Sequence, residues 1–249
     1  MLNSLLFLYQ LLFHNFTLAI LVFTVLVRAL TFPLTYQSQK AQQKLTELTQ
    51  SDAYKKMQAK YAKDKEKLAQ EQMKLHQAAG VNPFGACLPT LIQLPILIGL
   101  YQAITQAMAA SPLQLLDLSR QIYKFLPNVA ALIPLDNKFL WLNLGLPDPY
   151  YLLPVLVVVS TWLQSKVMTP AASPDPQAAQ MSQSMAITMP LMFGWFSLQF
   201  PAGLSIYFII ANIIGIVQYA LQPGAKIDWK KVLSFRTAPP AADKSRKKK

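Results

Sequence analysis

An arginine lies inside the first long apolar run of the chain. The run extends from Phe16 to Leu34 (FTLAILVFTVLVRALTFPL) and contains Arg28. About 20 apolar residues in a helix cross a hydrocarbon core of about 30 Å, so the run predicts a membrane-spanning helix. A guanidinium stays charged, and burying it in lipid costs about 3 to more than 10 kcal/mol unless water, a partner or snorkelling relieves the charge. Arg28 therefore either snorkels to the headgroups or faces an aqueous site within the membrane.

The surroundings of Arg28 favour the aqueous site. Arg28 lies six residues before Leu34. This is about 9 Å along a helix, so snorkelling is sterically possible and stays open. Thr24 lies one turn earlier on the same helix face, which favours a polar inward surface. The apolar runs contain no Asp or Glu, so an inward-facing Arg28 needs water, polar side chains or the carboxylate of a visiting molecule.

The apolar runs predict an all-α polytopic membrane protein with five transmembrane helices. The chain has 249 residues, 53% of them hydrophobic, which suits a small protein of this class. A proline at 201 and a glycine at 203 signal a turn that divides the last long run into two spans. The predicted spans are 16–34, 86–108, 150–168, 185–200 and 203–221. The fourth span is short, which predicts local thinning of the bilayer.

The segments outside the spans differ in polarity and in predicted structure. Residues 1–15 carry leucines and aromatic residues at helical spacing, which predicts an amphipathic interfacial helix or an extension of the first span. Residues 35–82 predict a hydrophilic helical hairpin with a break around Gln50–Asp52. The other segments are a loop with interfacial character at 109–149, an irregular loop at 169–184 and a basic tail at 222–249.

The distribution of Lys and Arg predicts the orientation in the membrane. The hairpin at 35–82 has 9 Lys against 5 acidic residues, and the tail at 222–249 has 9 basic against 2 acidic residues. The loop at 109–149 carries 3 of each sign. Because basic connections stay in the cytoplasm, the hairpin, the loop at 169–184 and the tail are predicted to be cytoplasmic. Residues 1–15 and the loop at 109–149 are then on the outer face.

The sequence shows no motif of a common catalytic or metal site. A single cysteine excludes an internal disulfide, and the two histidines do not have the spacing of metal ligands. Phosphate-binding loops and hydrolase signatures are absent as well. We therefore expect no enzyme activity, no metal and no cofactor. Polar side chains within the spans, among them Gln93, Gln164 and Ser205, either hydrogen-bond across helices or together line a wet cavity.

Three stretches closely resemble motifs of the YidC/Oxa/Alb family of membrane protein insertases. The stretch Asn82–Ile104 (NPFGACLPTLIQLPILIGLYQAI) is similar to the second-span signature of the family. The stretch Phe200–Gln218 (FPAGLSIYFIIANIIGIVQ) resembles its final span, and Val27–Thr35 (VRALTFPLT) resembles the first-span stretch with the intramembrane arginine. The order of five spans, cytoplasmic hairpin and basic tail also matches, so the resemblance covers nearly the whole chain between residues 16 and 221.

The resemblance implies that the chain inserts membrane proteins without nucleotide hydrolysis. In this family a hydrophilic groove is open to the cytoplasm and to lipid. Its arginine, matched here by Arg28, attracts acidic residues in the outer segment of a substrate, whose apolar helix then slides into lipid. The residues that the resemblance and the polar pattern together assign to the groove are Arg28, Thr24, Gln93, Gln164, Ser205, Tyr207 and Phe208.

The basic segments indicate candidate partners. The hairpin resembles the family element that receives substrates and contacts Sec components or ribosomes, and the tail suits ribosomal RNA and anionic lipid equally well. We expect a monomer in a bacterial plasma or inner membrane that serves nascent membrane proteins with acidic or short outer segments. The candidate partner-binding residues are Lys55, Lys56, Lys60, Lys63, Lys244, Arg246, Lys247, Lys248 and Lys249.

Two other functions stay open at the level of the sequence. A small-solute or anion transporter or channel also uses an intramembrane arginine, but it predicts paired repeats, and the five runs show none. A membrane-anchored nucleic-acid binder explains the basic tail and leaves Arg28 without a role.

Overall fold

The described part of the chain is almost entirely helical. The computed structural model describes residues 1–61, 64–78, 80, 88–108, 135–168 and 176–222. Within these residues one short antiparallel hairpin accompanies the helices, so the predicted helical class is confirmed there apart from this hairpin. The helices are α1 (Leu2–Leu11), α2 (Phe16–Gln50), α3 (Asp52–Tyr61), α4 (Lys65–Ala78), α5 (Leu88–Ala107), α6 (Leu152–Met168), α7 (Pro176–Ser197) and α8 (Ala202–Ala220), and the strands are β1 (Lys138–Phe139) and β2 (Leu142–Asn143).

Helix α2 is continuous from the first apolar run into the hydrophilic segment. It begins after Asn15, whose side-chain oxygen accepts a hydrogen bond from the backbone N–H of Leu18 at 3.1 Å. Pro33 lies inside the helix and removes one backbone donor without ending it. The helix has 35 residues, or about 52 Å of length. The residues around Arg28 and the base of the hairpin are therefore parts of one continuous helix.

The hydrophilic segment contains two helix breaks. Helix α2 ends at Gln50, and α3 begins at Asp52, which is the position of the break expected from the sequence. A second break separates α3, which ends at Tyr61, from α4, which begins at Lys65. At the start of α4 the carboxylate of Asp64 accepts a hydrogen bond from the backbone N–H of Lys67 at 3.1 Å and caps the helix. The helical spacing of the apolar residues does not reveal such a cap, so the sequence analysis predicted only the first break.

Helix α7 extends beyond the apolar run of the predicted fourth span. It begins at Pro176, inside the segment that was expected to be an irregular loop, and it has 22 residues. Proline is favoured in the first turn of a helix, and the alanine, glutamine and methionine residues that follow are good helix formers. The residues that the helix adds before position 185 are mostly polar, so its apolar part is no longer than the predicted span, and local thinning of the bilayer stays a prediction.

Helix α8 is the central element of the bundle. It contacts α2, α5, α6 and α7, and the most extensive helix contacts are those of α6 with α7 and with α8. Helix α1 lies against α2 and α5. Its apolar face, with Leu5, Leu6 and Tyr9, is buried in these contacts.

The buried apolar core is concentrated at one end of the bundle, where α2, α6 and α8 begin and α5 ends. Gly203 is wedged into this core, since a Cβ atom at this position would lie 3.2 Å from Ile20 Cδ1 and from the Leu144 carbonyl oxygen. We call this region the sealed end. Its most deeply buried apolar side chains are Leu5, Leu6, Phe16, Ile20, Leu100, Ile104, Leu144, Val157 and Leu204.

The segment around the β-hairpin covers the sealed end. The first backbone N–H groups of α8 have no partner within their own helix. Here Ala202 donates to the carbonyl of Leu146 at 2.8 Å, and Gly203 donates to the carbonyl of Leu144 at 3.0 Å. The hydroxyl of Tyr9 on α1 accepts from the backbone N–H of Asp136 at 3.2 Å. The hairpin segment is therefore joined to the bundle by backbone hydrogen bonds.

Two helices among the described residues are long and apolar enough to cross a membrane. They are the helix that begins at Phe16 and the helix Ala202–Ala220. Shorter apolar helices are found at Leu2–Leu11, Leu91–Ala107 and Leu152–Met168.

Candidate functional site

A small cavity lies between α2 and α5. Its volume is about 30 Å³, which is room for a water molecule but not for a peptide segment. On α2 the polar lining residues are spaced by three and four positions, so they share one helix face. We call this site the Arg28 cavity. Its lining residues are Arg28, Thr31, Leu34, Thr35, Ile92, Gln93 and Ile96.

Arg28 lines this cavity without an ion pair among the described residues. Its side chain is half-buried, and its Nε atom is fully buried with no hydrogen-bond partner in the part of the chain that the structure describes. The described ion pairs all lie within α3 and α4 or at their starts. A buried, unpaired cation is costly. The site therefore favours water or a negatively charged group beside the guanidinium.

Three helices meet at Arg28. Gln93 on α5 donates a hydrogen bond from Nε2 to the hydroxyl of Tyr207 on α8 at 2.5 Å, and Gln93 lines the same cavity as Arg28 on α2. Tyr207 is only 1% exposed. The side chain of Gln218 on α8 adds a long contact of 3.4 Å to the backbone carbonyl of Arg28. The predicted site residues Arg28, Gln93 and Tyr207 are thus brought together.

Threonine side chains form the polar strip of α2. Thr24 is completely buried, and its hydroxyl donates to the carbonyl of Ile20 at 2.6 Å, so it packs inside the bundle above the cavity. Thr31 and Thr35 line the cavity itself, and they donate to the carbonyls of Val27 and Thr31 at 2.8 and 2.9 Å. Their hydroxyl oxygens remain able to accept hydrogen bonds from water or from the guanidinium. Thr31 and Thr35 were missed by the sequence analysis, although their spacing from Arg28 places them on its face.

The other predicted groove residues lie on a different face of α8. Phe208 follows Tyr207 and is rotated from it by about 100° around the helix. The ring of Phe208 packs on Phe193 of α7, with 5.1 Å between the ring centroids. The hydroxyl of Ser205 shares a hydrogen bond of 2.6 Å with that of Ser197 at the end of α7. Phe208 and Ser205 therefore contact α7, whereas the Arg28 cavity lies between α2 and α5.

Gln164 belongs to a polar contact between α6 and α8. Its side-chain amide lies directly over Gly215, where a Cβ atom would collide with it. One turn away, Asn212 donates from Nδ2 to the hydroxyls of Ser160 and Thr161 at 3.0 and 2.9 Å. These contacts join two apolar helices through side-chain hydrogen bonds. Gln164 therefore contacts α8 from the side of α6 and does not line the Arg28 cavity.

The candidate partner-binding lysines are described only in part. Lys55, Lys56 and Lys60 are exposed on α3. Lys55 lies 3.7 Å from the carboxylate of Asp52 in an exposed pair. Lys63 and the basic residues at 244–249 lie outside the described residues.

The fold and the site define a class of helical protein in which an arginine lies beside a cavity among apolar helices, without an ion pair in the part of the chain that the structure describes. A family model described as 60Kd inner membrane protein matches residues 7–224. This match covers most of the chain, and the chain belongs to this family, which is the YidC/Oxa/Alb family indicated by its sequence motifs.

Relatives from bacteria and plants are similar over most of the chain. The membrane protein insertase MisCA of Bacillus subtilis is 37% identical over 217 residues, covering 86% of this chain and 72% of the relative. The membrane protein insertase YidC 2 of Listeria innocua is 37% identical, covering 83% of this chain and 63% of the relative. The chloroplastic ALBINO3-like protein 1 of Arabidopsis thaliana is 34% identical, covering 82% of this chain and 42% of the relative.

A solved structure has the same fold. It is described as an active YidC insertase crystal structure with the first transmembrane domain resolved, and it matches with a TM-score of 0.57 and 25% sequence identity. The match covers 87% of this chain and 44% of the solved chain. The present chain therefore corresponds to less than half of that protein.

Proposed function

We propose that this chain is a membrane protein insertase that receives hydrophilic segments of its substrates at the Arg28 cavity and hydrolyses no nucleotide. The observation that carries this proposal is the position of Arg28, half-buried beside a cavity and without a carboxylate partner among the described residues. Two of the relatives are named membrane protein insertases, which supports the same function.

Five helices cross the membrane in this proposal. They are the first half of α2, followed by α5, α6, α7 and α8. Helices α5, α6, α7 and α8 have 20, 17, 22 and 19 residues, or about 26 to 33 Å at 1.5 Å per residue, which is close to the thickness of a hydrocarbon core. The hairpin lysines and the basic tail then lie in the cytoplasm of a bacterial cell, and the sealed end faces outward.

A change of polarity along the bundle supports a groove that opens on one side only. The sealed end is apolar and is covered by the hairpin segment through the hydrogen bonds of Ala202 and Gly203. Toward the other end, Gln39 on α2 is hydrogen-bonded to Gln222, which follows α8, and Gln218 of α8 contacts the backbone carbonyl of Arg28. A substrate segment therefore has a polar entrance from the side of α3 and α4 and an apolar barrier ahead of it.

The charge of Arg28 supplies the attraction in this mechanism. An acidic side chain of a substrate compensates the charge of the guanidinium, and the guanidinium lowers the cost of bringing that acid into the membrane. The cavity of about 30 Å³ is too small for a peptide segment, so α2 and α5 separate when a segment enters. The apolar part of the substrate then moves into lipid, and the energy comes from burial of its apolar surface rather than from a nucleotide.

The proposed partners follow from the same arrangement. They are nascent membrane proteins with acidic or short outer segments, the ribosome or anionic lipid at the basic segments, the Sec translocon at the hairpin, and the lipid bilayer around a monomer. The exposed lysines of α3 support a contact with a polyanion.

Substitution of Arg28 tests the proposal. We expect Arg28→Ala to reduce insertion of a substrate with an acidic outer segment and to leave insertion of the same substrate with neutral residues there largely unchanged. Arg28→Lys keeps the charge and retains much of the activity. The measurement is protease protection of the substrate in proteoliposomes that contain the purified variant.

A second cation provides the matched control for Arg28. Lys166 lies in the last turn of α6, over the ring of Trp162 and away from the cavity. Lys166→Ala removes the same amount of charge, and we expect normal insertion. Equal insertion of acidic and neutral substrates by Arg28→Ala would show that Arg28 does not attract substrate.

Access of water to the cavity separates an insertase groove from a channel. We place single cysteines at Thr31 and Thr35 of a Cys87→Ser variant, with Leu204→Cys at the sealed end as the buried control, and label them with a membrane-impermeant thiol reagent. The groove predicts labelling of the two cavity positions from the side of the hairpin lysines only. Labelling from both sides contradicts a sealed groove and indicates a channel, whereas protection of both positions indicates a dry bundle.

A further inference from the structure

Large apolar side chains point away from the protein around the sealed end. Phe13, between α1 and α2, is 90% exposed, and Leu140, at the tip of the β-hairpin, is 75% exposed. Trp141 beside it is partly exposed, and Tyr150 and Tyr151 at the start of α6 are exposed as well. We call these five residues the apolar rim.

Three residues of the apolar rim have a backbone conformation that is unfavourable for their type. Phe13, Leu140 and Tyr151 have φ angles of 55°, 56° and 57°. The left-handed conformation costs an L-residue about 1–2 kcal/mol, and glycine or asparagine is the usual choice there. Leu140 is also the first residue of a two-residue hairpin turn, a position where a positive φ normally calls for glycine. A water-exposed turn gives no reason to place a leucine at this position.

The tip of the hairpin is held in place by a buried carboxylate. Asp148 is 4% exposed, and its oxygens accept hydrogen bonds from the backbone N–H groups of Leu153 at 2.7 Å and Tyr150 at 3.1 Å. The same carboxylate accepts a longer hydrogen bond of 3.4 Å from the indole N–H of Trp141. The indole, the tyrosine pair and the start of α6 are therefore fixed to one another.

The chemistry around the apolar rim is that of a membrane interface. Tryptophan and tyrosine are enriched at the level of the lipid headgroups, where one end of the side chain is apolar and the other is hydrated. Lys138 is exposed beside the hairpin tip, where an ammonium group can meet lipid phosphate. The rim continues into exposed apolar residues of α6 such as Leu152 and Val155, so it joins the surface that faces lipid in the proposed arrangement.

We infer that the apolar rim is a lipid-binding surface that inserts into the interface of the leaflet at the sealed end. The inference rests on the membrane-spanning arrangement proposed above, and it adds the depth of the bundle relative to the lipid headgroups. Because α2 begins at Phe16, anchoring of the rim places Arg28 about 18 Å below this interface, at 1.5 Å per residue. The apolar rim contacts the boundary between the lipid headgroups and the acyl chains rather than another protein.

Tryptophan fluorescence in liposomes tests the inference. A variant with Trp162→Phe, Trp195→Phe and Trp229→Phe keeps Trp141 alone, and it is reconstituted into phosphatidylcholine brominated either near the headgroup end or near the methyl end of the acyl chains. We expect a larger loss of Trp141 emission with bromine near the headgroups and little loss with aqueous iodide. Strong quenching by iodide together with no quenching by either brominated lipid overturns the inference.

A second single-tryptophan variant separates failure of this inference from failure of the proposed function. Trp195 is 57% exposed on α7 and belongs to a proposed membrane helix. Quenching of Trp195 but not of Trp141 by brominated lipid overturns the rim and leaves the membrane-spanning bundle intact. If brominated lipid quenches neither tryptophan, both the lipid-binding rim and the membrane-spanning arrangement are wrong. If the triple variants do not fold, the difference in quenching between the unsubstituted chain and Trp141→Phe gives the same comparison.

The strained turn provides an independent variant. Leu140→Gly removes the apolar tip and suits the positive φ better, so it preserves the hairpin while it weakens lipid contact. We expect Trp141 in this variant to lose part of its quenching by bromine near the headgroups and to gain quenching by iodide. Unchanged quenching by both agents contradicts a role of the hairpin tip in lipid binding.

Discussion

At the scale of single residues, one hydrogen bond joins α5 to α8 beside Arg28. The amide of Gln93 donates to the hydroxyl of Tyr207, and Tyr207 is buried. The Tyr207 hydroxyl has no ready access to bulk water in this position, whereas Gln93 is half-buried at the wall of the Arg28 cavity. Removal of one partner therefore leaves the other without its hydrogen bond, at a cost of about 1–3 kcal/mol.

Replacement of Tyr207 tests this contact. We expect Tyr207→Phe to lower the free energy of unfolding by about 1–3 kcal/mol and Gln93→Leu to have an effect of similar size. The double variant is expected to lose less than the sum, because both substitutions remove the same bond. The measurement is denaturant unfolding in detergent micelles. Additive losses would mean that the two side chains do not stabilise each other.

The sequence predicted part of the site at this scale. Arg28 was recognised because a permanent charge in an apolar run is rare, and Gln93 and Tyr207 meet beside it. Gln164 and Phe208 were assigned to the same groove, but Gln164 packs over Gly215 at the contact of α6 with α8, and Phe208 packs on Phe193 of α7. The sequence shows which residues in the spans are polar, but it does not show which face of α8 each neighbouring helix covers. Because consecutive residues of a helix point about 100° apart, adjacent residues such as Tyr207 and Phe208 contact different helices.

At the scale of elements, α2 connects the cavity to the hairpin. Its intramembrane part carries Arg28, and beyond Pro33 it continues into the hydrophilic segment. The far half is held against the end of α8 by a hydrogen bond from Gln222 to Gln39, two side chains that are both buried. Separation of α2 from α5 thus requires α2 to move relative to α8, with Pro33 as the weakest point of the helix.

A cross-link between α2 and the segment that follows α8 tests this movement. In a Cys87→Ser background, Gln39→Cys and Gln222→Cys replace two long side chains that touch at their ends, and we expect a short bismethanethiosulfonate cross-linker to join the two thiols and to protect them from a maleimide reagent. The cross-linked protein is expected to insert acidic substrates slowly and to recover with reductant. In the control pair, Gln39→Cys and Leu221→Cys, the second residue is 78% exposed. Full insertion by the cross-linked protein contradicts a required movement of α2.

The sequence predicted elements better than their ends. Apolar runs marked the cores of α2, α5, α6 and α8, because burial and lipid contact both select for apolar residues. The ends depend on single residues, such as Asp64 capping α4 and Pro176 starting α7, and a hydropathy pattern contains no signal for them. The hairpin between β1 and β2 is too short to produce an alternating pattern.

At the scale of the whole molecule, the two ends of the bundle tolerate polarity differently. Leu100 on α5 is fully buried in the sealed end, whereas Leu34 on α2 is partly exposed and lines the Arg28 cavity. At the sealed end an amide is cut off from water, and the lost apolar contacts add to its cost. At the cavity an amide can meet water, Arg28 and the threonine hydroxyls.

The same substitution at the two leucines therefore tests the polarity of the bundle. We expect Leu100→Asn to lower the free energy of unfolding by about 3–5 kcal/mol, from the sum of an unsatisfied amide and a cavity, and to abolish insertion. Leu34→Asn is expected to lower it by less than about 1 kcal/mol and to retain insertion, because its amide stays hydrated. Denaturant unfolding and the insertion assay measure both variants. Equal destabilisation by the two substitutions would mean that the cavity is as dry as the sealed end, and Arg28 would then have no aqueous route to a substrate.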